Sequence, residues 1–269
     1  MSTQNIEAII THQYIIDSVF LKREVIIDCY YSEDYFNHSF ISLLLINDGQ
    51  DLRTMQFENI LESVYGTKNI EPVFCVGIHC SSDRKNEYGT AKILDYKGRG
   101  AKAELYTQFV IDELIPFIRN TYNIISFKEK SFAGFSLGGL CALDIVWNYP
   151  NEFFKVGVFS GSLWWRDKDQ QDPDFNEDTD RIMQRQVRQG HYYPWLKFFF
   201  EVGTQDETAD RNNNGIIDSI DDALDIIEEL KNKGYTDNSI EYFEMKDGRH
   251  DVTTWAKAFP AFLEWGWGK

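Results

Sequence analysis

Seven short runs rich in β-branched and aromatic residues punctuate the chain: VIIDCYY (25–31), FISLLLIND (40–48), EPVFCVGIH (71–79), SFAGF (131–135), FKVGVFS (154–160), KFFFEVG (197–203) and SIEYFEM (239–245). Polar turn residues bound each run, and runs of this length and composition predict β-strands. Four stretches between them place apolar residues at helical spacing: ELYTQFVIDELIPFIRNTY (104–122), LGGLCALDIVWNYP (137–150), SIDDALDIIEELKNKG (219–234) and TTWAKAFPAFLEWG (253–266). Near-continuous apolar strands alternating with helices imply an α/β fold, a mostly parallel central sheet with helices on both faces. The first two runs have no helix between them and predict an antiparallel beginning. In such sheets, chemistry gathers at the carboxyl ends of the strands.

Composition narrows the function classes. A chain of 269 residues, 43% hydrophobic, can bury a large core. With no Pro/Gly/Ser-rich linker and no internal repeat, one domain over residues 1–269 is expected. The 43 acidic and 27 basic residues leave a formal charge of -16, which repels phosphate backbones and anionic membrane surfaces. Neither nucleic acid nor a membrane is an expected partner. The first residues, MSTQNIEAIITHQYIID, lack a basic region followed by an apolar core, and no stretch reaches membrane-spanning length. A soluble, cytoplasmic protein is expected, with its oligomeric state left open. Cys29, Cys75, Cys80 and Cys141 form no C-x-x-C pair and read as reduced thiols, with Cys80 at a strand end where it borders a site.

The stretch SFAGFSLGG, 131–139, sets Ser136 two positions from a glycine on either side, between a predicted strand and a predicted helix. Such a turn lifts a hydroxyl clear of the sheet for nucleophilic attack. The five-residue pattern alone arises by chance in roughly one chain in ten of this length, so partners must support it. A serine nucleophile needs a base, and the base an acceptor to orient it. His12 precedes the expected sheet, His38 sits in an early turn, and His79 ends a strand as a pocket residue. His250 lies between the last strand and the last helix, where a Ser, acid, His order puts the base; His191 is the alternative. Asp206 and Glu207 both follow the strand 197–203 and are both candidate acids, Asp206 by its position after the glycine. The N–H of Leu137 and, beyond Gly49, that of Gln50 are the candidate oxyanion donors.

With these residues in view, the chain resembles the esterase family of α/β-hydrolases that includes siderophore (enterobactin-type) esterases, feruloyl and acetyl esterases and S-formylglutathione hydrolase. LLLINDGQDL, DRKNEYG (83–89), ELYTQFVIDELIPFI, AGFSLGGL, VFSGSLWW (158–165), EVGTQDE and GRHDVTTWAKAFPAFL carry the resemblance, in the family's order and over nearly the whole chain. It implies an α/β-hydrolase fold and carboxylic-ester hydrolysis with Ser136, Asp206 and His250 at the triad positions and no catalytic cofactor. SGSLWW is most similar to the siderophore-esterase branch, where Trp164 and Trp165 line the site. Arg84 and Glu87 fall at a family position near the pocket mouth, where they meet a polar group of a small-molecule ester.

One segment departs from that pattern. In DRNNNGIIDSIDD, Asp210, Asn212, Asn214, Ile216 (through its carbonyl), Asp218 and Asp221 fall at positions one, three, five, seven, nine and twelve, with Gly215 at six. This is calcium-loop spacing, closed by Asp in place of Glu. Random composition yields it in about one chain in several thousand. A structural calcium ion bracing the loop after Asp206 is expected. Residues 164–195 are polar and charged with aromatic ends and read as a small cap after residue 163. An acyltransferase or peptidase using the same triad, and a non-catalytic calcium-stabilised binding protein, are the competing readings.

Overall fold

The computed structural model describes residues 8–33 and 41–269, so His38 lies outside the described residues. Eight strands form one sheet: β1 (Ile9–Ser18), β2 (Arg23–Ser32), β3 (Ser42–Asn47), β4 (Val73–Ile78), β5 (Glu129–Phe135), β6 (Lys155–Phe159), β7 (Lys197–Gly203) and β8 (Ile240–Met245). Their order is β1-β2-β4-β3-β5-β6-β7-β8. Pairing is parallel from β4 through β8 and antiparallel for β1–β2 and β2–β4.

The antiparallel beginning is therefore real but differently built. It joins β2 to β1 and β4, while β3, expected beside β2, lies parallel between β4 and β5. Every residue of β3 is buried, which suits a central position. β1 was not foreseen and carries His12: as an edge strand it is largely exposed, so its sequence lacks a continuous apolar run.

Strand side chains alternate between two cores. Leu43 and Leu45 join one core, and Leu44 and Ile46 the other. After the short α2 (Arg84–Glu87), the first core is roofed by α3 (Ala103–Gln108), a π-helical continuation (Phe109–Leu114) into α4 (Ile115–Thr121), α5 (Leu137–Asn148), α7 (Ile182–Gln189) and α8 (Asp218–Lys233). The second is covered by α1 (Phe57–Gly66) and α9 (Val252–Trp267), whose Trp255, Phe259 and Phe262 press on the sheet. A Cβ on Gly157 of β6 would stand 2.8 Å from the Phe262 ring, so α9 closes onto the sheet only over a glycine.

Within 164–195, α7 packs against α5 and α8, and a short α6 (Glu177–Asp180) precedes it. Cys29, Cys75 and Cys141 are buried free thiols and Cys80 is half-buried. Among the described residues no helix is long and apolar enough to cross a membrane.

Candidate active site

β5 ends at Phe135 and α5 begins at Leu137, which leaves Ser136 alone at the corner with φ 53° and ψ −122°. A non-glycine residue held there costs about 1–3 kcal/mol, so the surroundings must impose it. A Cβ on Gly134 would lie 2.3 Å from the Gly138 carbonyl oxygen, and one on Gly138 would lie 2.6 Å from Asp48 Oδ2. Both motif glycines are thus required by close approach. The Ser136 N–H donates to the Phe159 carbonyl at 2.8 Å, and the Ser162 N–H donates to the Ser136 carbonyl at 3.0 Å, clamping the corner to the end of β6. Leu137, as the first residue of α5, presents an N–H that the helix itself does not use.

The turn after β3 faces this corner. Asp48 adopts a left-handed conformation, φ 60°. A Cβ on Gly49 would meet the Gly77 backbone at 2.4 Å, so only glycine lets the turn lie flush on β4. The Gln50 side chain accepts the Cys80 N–H at 3.1 Å. Asn47 Nδ2 donates to the Gly138 carbonyl at 2.8 Å, and Tyr106 Oη donates to Asn47 Oδ1. The two segments expected to supply the oxyanion donors are therefore tied directly together.

Asp206 follows β7, and both of its carboxylate oxygens are buried. Burial raises its pKa, and the Ser160 hydroxyl, the Gly203 backbone and the nearby His250 ring work against that rise. Burial lowers the pKa of His250; Asp206 opposes this, and Arg84 adds to it. The His250 ring stands edge-on to Trp255, with centroids 5.4 Å apart, and Trp255 stacks on Phe135, the residue before Ser136, at 5.0 Å. Among the described residues no hydrogen bond joins His250 to Ser136 or to Asp206. Ser136, Asp206 and His250 follow the carboxyl ends of β5, β7 and β8.

The alternatives lie elsewhere. Burial raises the Glu207 pKa, and a hydrogen bond with the Ser219 backbone opposes it, so this carboxylate faces the start of α8. His191 precedes β7 and packs on Tyr193, at the opposite end of the sheet from Ser136.

Other expected site residues are already engaged. His79 Nε2 contacts Asp28 Oδ2 at 2.6 Å, and Glu87, 1% exposed, is gripped by Arg23 at 2.8 and 2.7 Å. Trp165 is fully buried beneath the 88–100 loop: a Cβ on Gly89 would stand 2.8 Å from its ring. A ring so covered packs the core and has no surface to offer a substrate. Trp164 is half-buried, with the Arg99 and Arg166 guanidinium groups 5.2 and 5.9 Å from its ring centroid. Arg84 pairs with Asp48. A cavity of about 550 Å³ lies away from the corner, between α1 and the β1–β2 ribbon, lined by Gln13, Asp28, Arg53 and Glu58 among others.

In the 210–221 loop, the Asn214 N–H donates to Asp210 Oδ1 and Asn212 Oδ1, each at 3.1 Å. The Asn212 and Asn214 side-chain amides both donate to Asp221 Oδ2 at 2.9 Å. Asp218 turns instead to Arg211, whose N–H donates to its Oδ1 at 2.7 Å, and Ile216 gives its own N–H to Asn214 Oδ1 at 2.7 Å. Among the described residues no three His, Cys, Asp or Glu side chains group as a metal site.

Sequence reasoning missed the polar layer under the base. Glu201, on β7, is wholly buried, and burial together with Asp206 pushes its carboxyl up to about 8. Ser160 Oγ lies 3.5 Å from Glu201 Oε2 and accepts the Trp255 indole N–H at 2.9 Å. The one visible signal was an acid inside the apolar run KFFFEVG.

Comparison with known proteins agrees with this architecture. A family model described as "Putative esterase" matches residues 18–265. YbbA of Bacillus subtilis (strain 168) is 24% identical over 232 residues, 83% of this chain and 84% of that protein. Among solved structures, enterochelin esterase from Shigella flexneri aligns with a TM-score of 0.71 at 19% identity, covering 98% of this chain and 59% of that one. The chain thus spans about three fifths of that esterase's length. The siderophore hydrolase EstB from Aspergillus nidulans aligns at 0.69 with 14% identity, covering 94% and 95% of the two chains. With a mixed eight-stranded sheet, helices on both faces and a family match over most of its length, the chain belongs to this esterase family and has the α/β-hydrolase fold.

Proposed function

We propose that the chain hydrolyses small-molecule carboxylic esters through Ser136, His250 and Asp206, on an aromatic or siderophore-like ester. The observation that carries this reading is the strained Ser136 corner at the carboxyl end of the sheet, where the His250 ring and the Asp206 carboxylate also shift each other's pKa. His250 takes the proton from Ser136 Oγ, which attacks the ester carbonyl. The Leu137 and Gln50 N–H groups hold the oxyanion. His250 then gives the proton to the leaving alcohol, leaving an acyl-serine that a water molecule, deprotonated by His250, hydrolyses to the acid. Asp206 supplies the acceptor for His250 Nδ1–H and fixes its tautomer. The likeness to enterochelin esterase and to the siderophore hydrolase EstB supports the siderophore direction, and the half-buried Trp164 supplies an aromatic face for it. The test is Ser136→Ala with p-nitrophenyl acetate, a feruloyl ester and a catecholate trilactone. Turnover is expected to fall by about 10³-fold or more. Turnover retained by the variant on all three would overturn the assignment.

The second part of the proposal is a structural calcium ion in the 210–221 loop, held by Asp210, Asn212, Asn214, Asp221 and the Ile216 carbonyl. Spacing supports it, as do the two side-chain amides that converge as donors on Asp221 Oδ2, the place a cation would take. Calcium added to chelator-treated protein is expected to raise Tm, and Asp210→Ala to remove the rise. An unchanged Tm at millimolar calcium contradicts it.

A further inference from the structure

Three segments distant in sequence meet at one ion pair. Asp48 opens the turn that carries Gln50, and its carboxylate is almost wholly buried. Arg84 grips it at two points, Nε to Oδ1 at 2.7 Å and Nη2 to Oδ2 at 2.6 Å. The same Nη2 donates to the Phe135 carbonyl at 3.2 Å, immediately before Ser136. The guanidinium also lies over the Tyr88 ring, 5.1 Å from its centroid, and Tyr88 Oη accepts the Asp48 N–H at 3.2 Å. Gly138 is bare because Asp48 Oδ2 occupies the space a side chain would need.

We infer that Arg84 is a positioning residue: clamped between Asp48 and the Phe135 carbonyl, it sets the gap between the Gln50 and Leu137 N–H groups across which the oxyanion forms. The inference deepens the proposed mechanism and rests on it. The bidentate grip uses the planar fork of a guanidinium, and its Nη2 reaches a second acceptor as well. A lysine keeps the charge and loses the fork. A fixed gap matters because preorganised donors stabilise the transition state only at the position the oxyanion will occupy. Arg84 thereby acts through its neighbours, where the sequence placed it as a contact for the substrate.

p-Nitrophenyl acetate separates these roles, since its acetyl group carries nothing for an arginine to bind. For Arg84→Lys, kcat on this ester is expected to fall about 10²-fold, with KM within about threefold of wild type. Labelling of Ser136 by a fluorophosphonate, which builds the same oxyanion geometry, is expected to slow in parallel. Arg84→Ala is expected to recover at least about tenfold in kcat on addition of guanidinium chloride at tens of millimolar, and Asp48→Ala to show no such recovery. An Arg84→Lys enzyme with wild-type kcat overturns the inference. So does an Arg84→Ala enzyme that melts like wild type and yet gains nothing from guanidinium. If Ser136→Ala is inactive while Arg84→Lys turns over normally, only the positioning role fails; if Ser136→Ala is active, the mechanism beneath it fails.

Discussion

His250 shows how far one side chain's surroundings decide its chemistry. Partial burial favours the neutral ring, Asp206 favours the charged one, and the net shift is downward from 6.5. A lowered pKa keeps the base unprotonated to lower pH, so the acid limb of kcat/KM should fall below 6.5. A pH–rate profile in the free-enzyme regime measures it; a limb above neutrality contradicts the assignment of this ring as base. The Ser136 motif and the late position of His250 were legible in the sequence because chain order alone restricts a triad. Asp206 was favoured there over Glu207 by its place after the glycine, yet a difference of one residue in a loop depends on which carboxylate the fold aims inward. Asp48, Ser160 and Glu201 were illegible for a stronger reason. Arg84 and Trp255, the partners of Asp48 and Ser160, come from distant elements, and the effect on Glu201 depends on how the loop after its strand turns Asp206 back.

Elements were easier to find than their order. The apolar runs became strands within a residue or two because burial on both faces demands continuous hydrophobicity. β1 escaped because an edge strand may remain half polar, and α1 escaped because it is only ten residues long. The position of β3 between β4 and β5 depends on crossovers that pattern does not reveal. The elbow between β5 and α5 is the place where element packing and chemistry are least separable. Gly138→Ala puts a methyl 2.6 Å from Asp48 Oδ2 and 3.0 Å from Asn47 Cβ, both in the oxyanion turn. It should lower kcat on p-nitrophenyl acetate by at least about tenfold and reduce stability by about 1–3 kcal/mol, since the Asp48 carboxylate is held by Arg84 and cannot swing aside. Gly66→Ala, with nothing within 4 Å of the added Cβ, serves as the control and should leave both unchanged or raise Tm slightly. Equal behaviour of the two variants in melts and turnover would show that the elbow tolerates a side chain.

Charge is a property of the molecule as a whole, and at this scale it opposes the site's local chemistry. The chain carries a formal charge of -16, whereas the carboxyl end of the sheet holds Arg84, Arg99 and Arg166. Contact pairing cancels most of that local excess, because Arg84 lies on Asp48 and Arg99 on Asp95. Arg166 is flanked instead by the Tyr96, Trp164 and Phe175 rings, with its Nε unpartnered. A guanidinium with no ion pair among the described residues acts over a few ångströms, while the acidic excess acts on anything still about a Debye length away, ~10 Å at 0.1 M salt. Approach of an anionic ester is therefore governed by the repulsive field. Its kcat/KM should rise severalfold as sodium chloride is taken from about 10 to about 200 mM, while that of neutral p-nitrophenyl acetate stays within about 1.5-fold. The measurement needs only a matched pair of esters, one bearing a carboxylate and one its amide, at several salt concentrations. A fall with salt for the anionic member would mean that Arg166 and its aromatic frame dominate capture, and that the acidic surface lies too far from the approach path to matter.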